Sequence, residues 1–336
     1  LYAELMRNLA TRTKPDGGAL PSIVERFVSQ AATQAQSEGR DVELVIRERL
    51  TSLEELVSGY DFASVIAHYW RAHQDGDAGG KANALRWLRA EYPNRSSAKK
   101  DLGVSAIIDD QSWYDYLKLM ARFVRLAGYG GLVVVLDEVV NLYKMQHKTA
   151  RSRNYEQVLR IVNDSLQGVS EGVLMLFGGT PEFLMDPYRG LYSYEALQTR
   201  LAENTFARDG LVDLSGPVMR LQNLSPEDLY VLLANIRRVF AEGDDSKHLI
   251  PDDALQAFMR HCSERIGDAC FRTPRTTVRA FTDLLAVLEQ NPDADWQSLL
   301  GSVALAPESN PDLEPLAAGD EADADSGDDD LSSFTM

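Results

Sequence analysis

The chain has 336 residues, 44% hydrophobic and 25% charged, enough to bury a substantial core in roughly two domains. No apolar run approaches the ~20 residues of a bilayer-spanning helix, and Leu1–Ala10 is a short amphipathic pattern rather than a secretion signal. The net charge of −17 is uneven: residues 291–336 hold twelve acids and no Lys, Arg or His, leaving −5 for residues 1–290, so a local basic surface is compatible with the total. Two cysteines, Cys262 and Cys270, form no metal or redox motif and fit a reducing cytoplasm.

Residues 1–128 read as mostly helical. Ile23, Val24, Phe27, Val28 and Ala31 recur at helical spacing, as do Leu44–Leu56 and Phe62–Trp70, with breaks at Asp16-Gly17-Gly18 and Asp75–Gly80. Asp110 or Ser112 can cap a helix over Trp113–Leu126, whose apolar positions share one face. Gly130-Gly131 ends that helix, and the period then changes. Leu132–Leu136 is an unbroken apolar run closed by Asp137-Glu138, which predicts a strand covered on both faces in the middle of a parallel sheet. A helix over Asn154–Leu166, a second strand over Val173–Phe177, a helix over Tyr194–Glu203 and a third short strand over Val218–Leu221 follow. Alternating strands and helices signify an α/β doubly wound sheet. Ser225-Pro226-Glu227-Asp228 then opens an all-helical stretch with helices over Pro226–Phe240, Asp252–Arg265 and Thr273–Leu288. After Asn291-Pro292 the composition collapses to Asp, Ala, Ser, Gly and Pro, which predicts disorder. The expected organisation is a core over 1–222, a helical lid over 223–290 and an acidic tail over 291–336.

The chemistry concentrates at strand ends. An acid at the carboxyl end of a buried central strand can associate with Mg²⁺, and a following Glu can orient and deprotonate a water; in such sheets ligands bind beyond those ends. Asp137 and Glu138 have this placement, although apolar residues followed by two acids also describe a strand that simply ends in solvent. Phe177-Gly178-Gly179-Thr180 puts small and polar groups on the same edge, where Thr180 is either a phosphate- or water-contacting hydroxyl or the cap of the next turn. Arg200 is either a cation aimed at a neighbouring subunit's γ-phosphate or a surface arginine. Arg275 falls in a helix's first turn, where a cation is disfavoured, so it points to an anionic partner or to pairing with Asp268. The five histidines have no metal-ligand spacing, and no Gly-x-Gly-x-x-Gly is present.

A phosphate cradle of the form Gly-x-x-x-x-Gly-Lys-Ser/Thr is missing. Gly80-Lys81 is followed by Ala82, without the hydroxyl, and follows no buried strand. Because that loop precedes the Asp-Glu strand in ATPases of this kind, a chain opening at Leu1 inside an apparent helix suggests that further sequence lies upstream.

The order of features resembles AAA+ ATPases of the origin-recognition and helicase-loader type. The strings Trp113–Leu117, Leu136–Lys144, Asn154-Tyr155-Glu156, Phe177–Phe183 and Arg189–Leu197 resemble, more specifically, the ATP-binding proteins of BREX-type phage-defence loci, over Leu1 to about Leu288. The resemblance implies an AAA+-like P-loop NTPase core with a helical lid, and ATP and Mg²⁺ as cofactors. It assigns Asp137 as the magnesium-associated Walker B acid, Glu138 as the catalytic glutamate, Thr180 as sensor 1, Arg200 as an arginine finger and Arg275 as sensor 2. It also implies cytoplasmic work beside helicase-like and methylase partners, with DNA and a second copy of the chain as further candidate partners and no membrane. The alternative is a non-catalytic interaction module with a degenerate ATPase fold. The acidic end Asp328–Met336, closing in spaced apolar residues, is either a peptide for a basic groove or a solubilising tail.

Overall fold

Seven helices precede the first strand: α1 (Tyr2–Arg7), α2 (Leu20–Glu38), α3 (Val42–Glu54), α4 (Gly59–Gln74), α5 (Ala78–Leu88), α6 (Arg95–Leu102) and α7 (Trp113–Leu126). The computed structural model that defines them describes residues 1–204, 213–221, 223–266 and 274–302. The apolar faces read from the sequence meet in an aromatic core. Phe123 of α7 packs on Phe27 (ring centroids 5.1 Å apart) and Phe62 (5.4 Å), and Trp87 meets Tyr116 edge-on at 5.4 Å. Such pairs add to the large transfer free energy of burying the rings themselves. Local polar bonds fix the helix ends. The Asp41 side chain accepts from Leu44 N at 3.1 Å to start α3, and Arg49 and Gln30 donate to the terminal carbonyls of α7, Leu126 O (2.8 Å) and Ala127 O (3.4 Å). Those carbonyls have no intrahelical donor, so a cation there completes the helix.

The chain then forms β1 (Leu132–Leu136), α8 (Val140–Lys144), α9 (Lys148–Leu166), β2 (Val173–Phe177), α10 (Pro181–Met185), a 3₁₀ turn over Leu191–Ser193 and α11 (Glu195–Leu201). The two strands are parallel, with Leu132 opposite Val173 and Leu136 opposite Phe177. This is a β–helix–β crossover, as parallel strands require. Both strands fall where their apolar runs place them, but the expectation of cover on both faces fails. Leu132, Val134 and Leu136 are buried, whereas Val133 and Val135 are 59% and 61% exposed and Leu174 and Leu176 are 52% and 47% exposed. A run with no alternation cannot reveal which of its faces finds a partner.

The residues fall into two compact units, the first comprising Leu1–Ala202 and the second beginning at Glu203. The second unit is helical: α12 (Pro226–Phe240), α13 (Asp252–Ile266), α14 (Pro274–Gln290) and α15 (Trp296–Ser302). Its core joins Leu229, Leu233, Ile250, Leu285 and Leu300 around Phe258 and Phe281, whose rings are 5.2 Å apart. Ser225 and Asp228 make a reciprocal capping box, Asp228 N donating to Ser225 Oγ at 3.1 Å and Ser225 N to Asp228 Oδ2 at 2.9 Å. Val218–Leu221 is not a strand. Four residues carry too little pattern to specify a strand without a partner to pair with. The helix Trp296–Ser302 occupies sequence whose composition predicts disorder; Leu300 is buried in the helical core and Trp296 packs against it. Asp268, Cys270 and the tail beyond Ser302 lie outside the described residues.

The described part of the fold is therefore mainly helical, with a small two-stranded parallel sheet in the first unit. None of its helices is long and apolar enough to cross a membrane.

Candidate functional site

The carboxyl ends of β1 and β2 are stitched together past the last strand residues. Gly178 N donates to Leu136 O at 2.8 Å and Val139 N donates to Gly178 O at 3.0 Å. This places Asp137 directly against Gly178: a Cβ there would stand 2.5 Å from Asp137 Oδ1. Only glycine leaves room for the carboxylate in that position. Glu138 N donates to the same oxygen at 2.9 Å, so Asp137 is oriented from the backbone and both acids remain exposed.

Glu138 itself sits at φ 55°, in the left-handed region. For a residue with a Cβ this backbone costs on the order of 1–2 kcal/mol, and it persists only where its surroundings hold it. Here the surroundings are the Val139–Gly178 bond on one side and α8 on the other. Gly179 completes the turn; a Cβ on it would meet Phe183 Cδ1 at 2.8 Å and Val139 Cγ2 at 3.2 Å.

Thr180 is the N-cap of α10, its Oγ1 accepting from Phe183 N at 3.4 Å. Arg200, on α11, donates through Nη1 to Ala196 O at 2.8 Å and through Nε to Asn163 Oδ1 on α9. Both side chains thus hold structural bonds inside the first unit. Arg275 is exposed in the first turn of α14, in the second unit. The structure brings Asp137, Glu138 and the Gly178–Thr180 turn to one edge and gives Arg200 separate bonds on α9 and α11; Arg275 belongs to the second unit.

Behind this edge lies a network that sequence reasoning did not find. Tyr143 of α8 donates to Asp186 Oδ2 at 2.8 Å, and Asp186, just after α10, also accepts from Tyr188 N (2.7 Å) and Arg189 N (3.2 Å). Arg189 donates to Tyr143 O and Met145 O, each at 3.2 Å; Arg151 adds a bond to Met145 O at 2.7 Å, and Tyr155 donates to Arg189 O at 2.6 Å. The helix after Asp137-Glu138 is thereby tied to the helix after Thr180. Burial works to raise the Asp186 pKa, but the two backbone amides, the Tyr143 hydroxyl and the Arg189 charge outweigh it and hold the carboxyl below its usual range. The same hydrogen bond, with burial, pushes the Tyr143 phenol up. Gly190 lets the chain turn here, because a Cβ would meet the carbonyl oxygens of Phe183, Glu182 and Asp186 at 2.7–2.8 Å. Asp186, Tyr188 and Arg189 are close together in the sequence, but nothing local points to Tyr143 as their partner.

Among the described residues no cluster of three or more His, Cys, Asp or Glu is arranged to cage a metal. Two exposed carboxylates at a strand end instead suit a hard cation that keeps most of its water and takes further oxygens from phosphate, as Mg²⁺ does. In this respect Asp137 and Glu138 fit the ion that the resemblance implies.

A match to the family of BREX system ATP-binding proteins BrxC/D runs over residues 1–304. The chain belongs to this family. The matched span takes in all of the first unit and the helices of the second, so the strand ends and the network behind them lie within it. Membership makes this an ATP-binding protein of a BREX phage-defence system, with other proteins of that system as partners. Comparison with curated proteins and with solved structures gave no match.

Proposed function

We propose that this family member is an AAA+-like, ATP-driven switch in phage defence, with the carboxyl ends of β1 and β2 as the catalytic half of its nucleotide site. The observation that carries this reading is Asp137 seated against Gly178 with its carboxylate oriented by the Glu138 amide. Asp137 holds the metal side of the site, and Glu138 orients a water and takes its proton. Mg²⁺ bound there would offset charge on the phosphoryl oxygens. Thr180 contributes from the neighbouring strand end. Arg275 supplies a cation for the phosphate tail. Arg200 acts on a neighbouring subunit only after leaving Asn163 and Ala196. The phosphate cradle comes from sequence other than these 336 residues, which contain no Gly-x-x-x-x-Gly-Lys-Ser/Thr. The work of the switch is done on DNA-processing partners of the helicase or methylase kind, in the cytoplasm.

The test uses the gene product in full. Glu138→Gln should keep nucleotide bound while lowering ATP turnover by about 10²–10⁴-fold; turnover at the unmodified rate would remove Glu138 from the mechanism. A second reading, a non-catalytic interaction module, is favoured by the internal bonds of Thr180 and Arg200 and by the open apolar face of the sheet. It predicts no hydrolysis in the complete protein and unchanged partner binding in Glu138→Gln.

A further inference from the structure

In a chain of net charge −17, residues 81–100 stand out. They hold six cations (Lys81, Arg86, Arg89, Arg95, Lys99, Lys100) and one acid, Glu91. Three of the cations sit on the eight-residue helix α6. Its buried positions are Ala98 and Leu102, so Arg95, Ser96, Lys99 and Lys100, at i, i+1, i+4 and i+5, form the opposite, exposed face.

Several exposed cations of the first unit, such as Arg7, Arg40, Arg47 and Arg125, are matched to nearby acids, so three unmatched ones on one short helix face are a local concentration of charge. Among the described residues Arg95, Lys99 and Lys100 make no ion pair. The nearby acids are engaged elsewhere. Asp101 accepts from Tyr92 Oη at 3.1 Å, Glu91 pairs with Arg7, and Asp109, which feels Arg95, holds Ser112 and Gln111. The start of α6 adds to the positive field: its N-cap is the neutral Asn94, its first turn has no acid, and Arg95 occupies the first position.

We propose that the exposed face of α6 is a docking surface for the phosphate backbone of a nucleic acid. The absence of apolar anchors separates this partner from an acidic protein. Specific protein interfaces centre on buried apolar or aromatic side chains, and no large hydrophobic side chain is exposed between Tyr60 and Val133. A phosphate backbone needs only cations and hydrogen-bond donors, and the face offers both in Arg95, Lys99, Lys100 and Ser96. The global charge does not forbid it, because at physiological salt acids more than about 8 Å away are largely screened. The surface shares no residue with Asp137-Glu138 and does not depend on nucleotide chemistry. Contact of this kind carries no sequence information.

Binding of the 336-residue protein to a fluorescein-labelled 20-base-pair duplex is measured by anisotropy across a salt series. Three phosphate contacts predict a slope of log K against log salt of about −3. Replacing Arg95, Lys99 and Lys100 by Gln should weaken binding at 50 mM salt by at least tenfold and flatten the slope. A triple variant with the same charge change elsewhere (Arg12→Gln, Arg47→Gln, Lys148→Gln) should bind within twofold of the unmodified protein, as should Arg95→Lys. Helical circular dichroism checks that each variant is folded. No salt-dependent binding by the unmodified protein, equal losses in the two triple variants, or displacement of the duplex by polyglutamate at equal charge concentration would each overturn the proposal.

Discussion

The helical bundle α1–α7 and the sheet segment from β1 to α11 are built on opposite terms, although they are continuous in one unit. In the bundle Phe27, Phe62, Trp87, Tyr116 and Phe123 are almost wholly buried, and helix ends are closed by side chains such as Asp41, Arg49 and Gln30. In the sheet segment four of the ten strand side chains are exposed, a glutamate adopts a left-handed backbone and two acids stand exposed. The first region spends its residues on packing. The second leaves apolar and charged groups uncommitted where a ligand or another polypeptide can use them. Stability and chemistry are thus separated along the chain, and substitutions can test how sharply.

The largest effect belongs in the bundle. Phe123→Ala should lower unfolding free energy by about 3–5 kcal/mol in denaturant melts, and a loss below 1 kcal/mol would mean that the aromatic cluster is not the keystone of the unit. Within the sheet, neighbouring valines should behave differently. Val134→Thr buries a hydroxyl and should cost about 1–3 kcal/mol, whereas the isosteric Val135→Thr should cost less than about 0.5 kcal/mol; equal costs would show that the second face is covered in solution. Glu138→Gly should run the other way, relieving the left-handed backbone and raising stability by up to about 1 kcal/mol as turnover is lost. An unchanged or lower melting temperature would argue against strain at that position.

The smallest effect is a pH dependence. Asp186 has a depressed pKa in the folded protein, so its contribution is complete above the unfolded value of about 4 and is lost as pH falls through the folded value. Asp186→Asn should therefore flatten the acid limb of the stability profile below about pH 4 and leave the slope at pH 6–8 unaltered.

Much of this was legible in the sequence, because period and caps are local properties. Leu132–Leu136, Val173–Phe177, Trp113–Leu126 and Pro226–Phe240 begin and end where apolar runs and capping residues indicate. What depended on distant partners was not legible. Helix α9 starts at Lys148, six residues before the expected Asn154, through a polar stretch whose one apolar residue, Ala150, sets no period. The bareness of Val133 and Val135 could not be read from a uniform run, nor could the lack of pairing at Val218–Leu221. At the site, the adjacency of Asp137 and Glu138 was readable, as was the glycine turn opposite. Thr180 was readable as two things, and the observed bond to Phe183 N is a capping bond. The Tyr143–Asp186–Arg189 network joins residues more than forty positions apart and has no local signature.

The open face of the sheet also bears on how the protein keeps. Val133 and Leu174, and Val135 and Leu176, lie in register on two parallel strands whose outer edges have no further strand among the described residues. Edges and faces of this sort recruit whatever strand or apolar surface comes near. Shelf life of the isolated chain should therefore be governed by concentration more than by temperature, with turbidity rising steeply above a threshold far below the melting point. Charged substitutions at Val133 and Val135 would raise that threshold without touching the fold, and would be a practical first step toward a sample fit for crystals.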